Sequence, residues 1–171
     1  TGLYTFHELK KQLPAFISHG MEGAVLLFDV DRLQRINDIL GYLVGDEVLQ
    51  RLGQKCQSLE GVIFYRGPGG KFYCITTEKS ENALERIYQE MQKFSVEVPR
   101  EMNLEIQLTI SCGVAFFPQD AEDFETLHAN VEYALEQAKK VGRGSIAQFS
   151  GQMHRKTVEK FRLQEVLRES V

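Results

Sequence analysis

Three absences narrow what this 171-residue sequence can encode. Positive charge is not in excess, because 24 acidic residues outnumber 20 basic ones, so only a local basic pocket for a small phosphate ligand is expected, and no nucleic-acid partner. No apolar run is long enough to span a bilayer, so we expect no direct membrane contact. The three cysteines are widely spaced and form no metal-ligand pattern, which indicates a reduced, cytoplasmic protein.

The order of apolar patterns predicts one α+β domain. Hairpin signals and amphipathic helices alternate along the chain, which favours a mostly antiparallel sheet with helices packed on it. The predicted strands are Gly23–Val30, Gly61–Tyr65, Phe72–Thr76, Leu104–Phe117 and Ser145–Phe149. The predicted helices run from Thr5 toward His19 and over Arg32–Leu40, Val44–Leu59, Glu81–Phe94, Phe124–Val141 and Gln152–Glu169.

Local signals sharpen two helix starts. Thr5 and Glu8 have the spacing of a capping box, and Pro14 predicts that the helix they begin is bent or split. Asp31 directly follows the first strand and is predicted to cap the next helix.

Asp29 and Asp31 end a continuous apolar strand, where carboxylates commonly hold Mg²⁺ against phosphates because Mg²⁺ prefers hard oxygen ligands. The alternative is that Asp31 is only a cap and Asp29 only a loop acid. Asn37 and Asp46 lie on consecutive predicted helices, and an amide with a carboxylate suits the edge of guanine. Ordinary helix-surface polarity explains them equally simply.

Lys139 and Arg143 flank a predicted helix end and could hold phosphates, or could simply complement the helix dipole. The turn Arg66–Phe72 carries three glycines, which let a backbone approach a ligand closely, although a plain hairpin turn fits too. The four histidines are scattered, and we interpret them as surface or packing residues rather than ligands.

Taken in order, these segments resemble the GGDEF domain of diguanylate cyclases. The stretch Phe28–Leu49 is similar to the family's "DxDxFKxINDxxGHxxGDxxL" run, and the match is long and specific. Further likenesses follow at the positions that the family's order requires: Thr1-Gly2-Leu3 to "LTGL", Arg66–Phe72 to "RxGGDEF", Ser111–Ala115 to "SxGxA", and Tyr133–Arg143 to "ALYxAKxxGRN".

The resemblance implies a fold and a set of roles. The fold is a mostly antiparallel five-stranded sheet flanked by helices, with an extra β-hairpin. In this family two domains each present one GTP, and each 3′-hydroxyl attacks the other's α-phosphate. By the same resemblance Asn37 and Asp46 contact guanine, Asp29 holds Mg²⁺, and Lys139 and Arg143 hold phosphates.

The signature loop departs from the family. It has decayed to Pro68-Gly69-Gly70-Lys71-Phe72, so Gly70 stands where the family needs a metal-ligating acid and Lys71 where it has Glu. We therefore expect no catalytic residue in this loop and an incomplete metal site at Asp29. Mg²⁺ is expected to enter only together with bound nucleotide. Lys71 could partly replace Mg²⁺ as a counter-charge, which would allow nucleotide binding without turnover. Gln34 also replaces the family's helix lysine.

We therefore expect residues 1–150 to be a degenerate GGDEF domain that binds GTP or another guanine nucleotide and regulates a tethered phosphodiesterase. Residues 151–171 resemble the linker helix that leads to an EAL domain, although a solvated terminal helix is the alternative. Because the chain begins at Thr1, we expect it to be part of a longer, cytoplasmic or membrane-anchored protein. Two rival functions stay open: an active cyclase in which Asp31 or Asp38 replaces the lost acid, and a ligand-free docking module or homodimer.

Overall fold

A computed structural model describes residues 3–150, which form a six-stranded sheet with helices on both faces. The strands are β1 (Tyr4–Thr5), β2 (Gly23–Val30), β3 (Ile63–Arg66), β4 (Lys71–Thr76), β5 (Ile110–Phe117) and β6 (Ile146–Gln148). The helices are α1 (Phe6–Ser18), α2 (Leu33–Leu40), α3 (Tyr42–Gln57), α4 (Glu81–Glu101) and α5 (Phe124–Val141). The helix predicted over Gln152–Glu169, and with it the linker 151–171, lies outside the described residues.

The sheet has the order β1-β3-β4-β2-β5-β6, with β2 near its centre. β2 pairs antiparallel with β4 and β5, and β3 pairs antiparallel with β4, whereas the edge strands β1 and β6 join in parallel. The predicted α+β class with a mostly antiparallel sheet is confirmed. The sheet counts six strands because the short β1 adds to one edge and the β3–β4 hairpin belongs to the sheet itself.

Side-chain alternation along β2 divides the core into two layers. Leu26 and Phe28 pack with α3 and α4 on one face. Val25 and Leu27 pack with α1 and α5 on the other. Asp29 continues the second set, so its carboxylate faces α5. All three cysteines are buried and free, and no helix within residues 3–150 is both long and apolar enough to cross a bilayer.

Several predicted boundaries are confirmed, and the differences have physical causes. β2 and α5 have the predicted bounds, and α1 begins with the predicted capping box. α1 is not split at Pro14, whose exposed position lets water reach the carbonyl left without a backbone donor. The prediction that Asp31 caps α2 is wrong. Arg32, in a left-handed conformation, is the N-cap without a side-chain hydrogen bond.

β5 and α4 also differ from their predicted ranges. β5 begins at Ile110 rather than Leu104, because its ladder partner β2 ends at Val30, which is paired with Ile110. Residues 104–109 therefore have no strand to pair with, and Leu108 reaches the core from irregular backbone. α4 continues beyond Phe94 to Glu101 because Val98 and Pro99 are also buried.

Candidate functional site

The end of β2 and the start of β4 place Asp29 directly opposite Lys71 in the antiparallel ladder. Side chains at paired positions project from the same face of a sheet, so both point toward α5. The turn before β4 is closed by Gly67 N–H donating to the Lys71 carbonyl over 2.9 Å. This short turn fixes where Lys71 emerges beside Asp29.

Helix α5 supplies an oppositely charged partner to each of these residues. The Lys139 ammonium donates to Asp29 Oδ2 in a close ion pair. Glu132 Oε1 lies 3.5 Å from Lys71 Nζ. Glu132 and Lys139 are seven residues apart, which is two helical turns, and therefore share a face of α5. The site thus holds two cations and two carboxylates in alternating order.

His128 supports Glu132 from one turn earlier in α5. Its Nε2 lies 3.4 Å from Glu132 Oε1 and within hydrogen-bond distance of the Tyr73 hydroxyl, at 2.7 Å. Its ring also stacks on Phe124. Burial lowers the pKa of His128, and the nearby Glu132 carboxylate opposes that shift. The interpretation of His128 as a packing residue fits these contacts.

A second group of polar residues gathers at the α2–α3 corner. The amide of Asn37 lies over Gly45, where an added Cβ would come within 1.8 Å of Asn37 Oδ1. Only glycine at position 45 allows this arrangement. Asp46 is exposed on the next residue of α3. The structure therefore brings Asn37 and Asp46 to the same helix corner, as the sequence predicts.

Arg66 joins this corner to the hairpin turn. Its guanidinium lies 4.8 Å from the Phe72 ring centroid and donates to the Lys71 carbonyl over 3.2 Å. Burial lowers the pKa of Arg66, and the nearby Asp46 carboxylate opposes that shift. Arg66 is thus a positively charged neighbour of Asp46 to which sequence reasoning gave no role.

Gly70 is buried at the position where the family has its acid. A Cβ at Gly70 would lie 2.9 Å from Leu33 Cδ2, 3.4 Å from Val30 Cβ and 3.6 Å from Asp29 Oδ1. A side chain at position 70 would therefore require the end of the Leu33 side chain to shift, and its Cβ would lie beside the Asp29 carboxylate.

Asp31 has a structural role and does not line the solvent-exposed side of the site. Its side chain is 5% exposed and accepts hydrogen bonds from Thr109 Oγ1 at 2.7 Å, Ser111 Oγ at 2.9 Å and Gly144 N at 3.2 Å. These donors come from the residues flanking and beginning β5 and from the loop after α5. The carboxylate fastens that loop to the end of β2.

The family implies Mg²⁺ at this site, and the protein donors do not fit it by themselves. Asp29 is committed to Lys139, Asp31 to three donors, and Gly70 offers no side chain. Within residues 3–150, no three His, Cys, Asp or Glu side chains gather closely enough to hold a metal. Asp29 is therefore a lone candidate ligand.

Of the predicted site residues, Asp29, Lys71 and Lys139 lie together, Asn37 and Asp46 share the α2–α3 corner, and Arg143 is exposed in the loop between α5 and β6. Glu132 is the contact that sequence reasoning missed. Its spacing of four from His128 and seven from Lys139 on one predicted helix was the available signal.

Known proteins share sequence with most of this chain. The family model described as "Diguanylate cyclase, GGDEF domain" matches residues 3–145. The chain is 29% identical over 152 residues to cyclic di-GMP phosphodiesterase NbdA of Pseudomonas aeruginosa, covering 86% of this chain and 19% of NbdA. It is 26% identical over 152 residues to diguanylate cyclase VdcA of Vibrio cholerae, covering 85% of this chain and 44% of VdcA.

The fold has solved counterparts. The active GGEEF domain of a diguanylate cyclase from Vibrio cholerae superposes with a TM-score of 0.74 at 23% identity, over 86% of this chain and 98% of that one. The chain spans about a fifth of NbdA and less than half of VdcA. With the family model matched over most of its length and this sheet beneath it, the chain belongs to the GGDEF family, whose members are domains of cyclic di-GMP signalling proteins.

Proposed function

We propose that this domain binds GTP or another guanine nucleotide and makes no cyclic di-GMP. We further propose that it belongs to a longer chain and regulates an EAL phosphodiesterase domain of that chain, with both domains in the cytoplasm. The observation that carries the proposal is the contrast at the site. Gly70 offers no side chain where chemistry needs an acid, while Asn37, Asp46, Lys139 and Arg143 keep the residue types that the family uses to hold nucleotide.

The loss of cyclase activity follows from the missing negative charge at the metal site. Transfer to an α-phosphate with two metal ions needs several anionic oxygens to offset the ions. Asp29 is the single carboxylate at the expected position, and its closest partner is a lysine. Mg²⁺ would therefore arrive on the nucleotide rather than on the protein.

Binding is supported by the α2–α3 corner. The Asp46 carboxylate can accept hydrogen bonds from guanine N1–H and N2–H₂, and the Asn37 amide can both donate and accept. Gly45 keeps Asn37 close against α3, so the amide is held in place before the ligand arrives.

Regulation is suggested by the relatives. NbdA is named a phosphodiesterase, and the GGDEF-like part of such a chain would act on its neighbour only if nucleotide binds one arrangement of the domains more tightly than another. Residues 151–171 would connect the two.

A ligand-free docking module is the second candidate, favoured by one observation. Lys71 and Lys139 are already neutralised by Glu132 and Asp29, so the site is satisfied without a ligand. The active-cyclase alternative is supported by the relative VdcA, which is named a diguanylate cyclase, but Asp31, one of its two candidate acids, is tied to Thr109 and Ser111.

Isothermal titration calorimetry with GTP separates these functions. We expect saturable binding that Asn37→Ala weakens by about tenfold, the effect of losing one well-formed polar contact. Asn82→Ala is the matched control, because Asn82 is an exposed amide in the first turn of α4, whereas Lys55 of α3 contacts α4 near its other end, at Glu97 and Glu101. Absence of binding at about millimolar GTP, with and without Mg²⁺, would reject the nucleotide proposal and favour the docking module.

Regulation needs the full-length protein. If nucleotide controls the phosphodiesterase, GTP should change its cyclic di-GMP hydrolysis rate and Asn37→Ala should remove that response. An unchanged response in Asn37→Ala would favour regulation through docking alone.

A further inference from the structure

Lys71 places a positive charge at the solvent-exposed side of the site, called its mouth below, where the family has Glu. Lys71 Cα is paired with Asp29 Cα across the β2–β4 ladder, and its ammonium lies on the face where the family holds a metal. The Lys71 side chain is 31% exposed, so its charge reaches the mouth and is only partly screened by water. A lysine is a compact point charge that can neutralise phosphate oxygens without coordination geometry.

The same site gives a divalent cation little support. Mg²⁺ beside Asp29 would lie near the ammonium groups of Lys71 and Lys139, and the second carboxylate of the cluster, Glu132, is paired with Lys71. Gly70 supplies no second acid. Two lysines and one missing carboxylate therefore favour an anion held by lysines over an anion held by metal.

Resting on the proposed nucleotide binding, we propose that this site takes GTP without a divalent cation, with Lys71 as the counter-charge and Glu132 as the internal carboxylate that the phosphates displace. Glu132 is 42% exposed and its ion pair with Lys71 is 3.5 Å long, so the pair opens at little cost. His128 then keeps a second contact to Glu132 as it leaves Lys71.

The test is calorimetry with GTP in EDTA and in excess Mg²⁺, on the 171-residue chain. We expect dissociation constants within about threefold of each other in the two conditions. Lys71→Gln should weaken binding about tenfold or more in EDTA and less in Mg²⁺, since added metal can then substitute for the lost charge. Lys93→Gln, which removes the same charge from α4, should change neither value.

Glu132→Gln should change the affinity for GTP in the opposite direction. Removing the competing carboxylate while keeping its shape should tighten GTP binding in EDTA by about threefold. Glu85→Gln, an exposed carboxylate on α4, is its control. Thermal melting of each variant checks that the fold is intact, and both site variants change partly exposed side chains.

The outcomes are separable. GTP binding that appears only with Mg²⁺ overturns the metal-independent site while the proposed nucleotide function stands. No binding in either condition overturns both. Weaker or unchanged binding in Glu132→Gln overturns the displacement by phosphate.

Discussion

Gly70 shows at the residue scale why a single substitution does not return the lost chemistry. A side chain there meets Leu33 at 2.9 Å before it reaches any ligand, and lies beside the Asp29 carboxylate. The neighbours have adjusted to glycine, so an acid is unfavourable both in volume and in charge.

Gly70→Asp should therefore destabilise the domain by about 1–3 kcal/mol, the usual cost of overpacking, and urea denaturation measures the loss. Combining it with Leu33→Ala should cost less than the sum of the two single changes, because the smaller residue makes room for the new carboxylate. Leu33→Ala alone is the reference. Additive losses would show that Leu33 does not limit this position.

Asp31 presents the opposite case, a carboxylate that looks catalytic in the sequence and is structural in the fold. Asp31→Ala would leave the hydroxyls of Thr109 and Ser111 without their carboxylate acceptor and would leave Gly144 N–H with Ser111 Oγ alone. We expect a loss of about 3 kcal/mol in the free energy of unfolding, measured by chemical denaturation. Asp38→Ala, an exposed acid hydrogen-bonded to Gln34, should lose less than about 0.5 kcal/mol. Equal losses in the two variants would contradict the framework role of Asp31.

At the scale of helices and strands, the sequence predicts best those elements whose ends are set by their own residues. β2 and α5 are set by their own apolar pattern and stop signals, and both have their predicted bounds. β5 depends on where its partner β2 ends, which no local pattern contains, so its alternating residues before Ile110 predict a strand that has no partner.

The site shows the same division. Motif order predicts Asp29, Asn37, Asp46 and Lys139, because each belongs to a local pattern. The pairing of Lys71 with Asp29 depends on ladder register, and the contact of Lys71 with Glu132 on helix packing. Those distances arise only when the sheet and α5 come together.

The packing of α5 on β5 makes a prediction at this scale. A Cβ at Gly113 would lie 2.4 Å from Leu135 N and 2.5 Å from Val131 O, which are backbone atoms that cannot rotate away. Gly113→Ala should push α5 off the sheet, destabilise the domain by about 3 kcal/mol or more, and weaken GTP binding because Lys139 moves with the helix.

Gly61→Ala is the control for that change. Gly61 has a φ of 79° with open space around it, so alanine there should cost about 1 kcal/mol through backbone strain and leave GTP binding unchanged. Denaturation curves and calorimetry of both variants give the comparison. A Gly113→Ala domain as stable as Gly61→Ala would contradict backbone-to-backbone packing of α5.

At the scale of the whole molecule, the described domain has the family's fold but a different balance of charge at its centre. The sheet brings two lysines and two carboxylates together and leaves no carboxylate beside Asp29 for a second metal ligand. The fold itself is shared with the active GGEEF domain from Vibrio cholerae, at a TM-score of 0.74 over 86% of this chain. Dimerisation alone would not supply the missing acids.

A forced dimer therefore tests the chemistry without depending on natural assembly. Fused to a coiled coil and incubated with GTP and Mg²⁺, the domain should form cyclic di-GMP at least about 10³-fold more slowly than an active GGEEF domain treated the same way, because metal stabilisation of the transition state contributes several kcal/mol. Product chromatography measures both rates. Turnover above this level that disappears in Asp29→Ala would show a working metal site and would restore the active-cyclase alternative. Turnover that persists in Asp29→Ala is tested next in Asp31→Ala and Asp38→Ala, the two acids that the active-cyclase alternative offers as replacements.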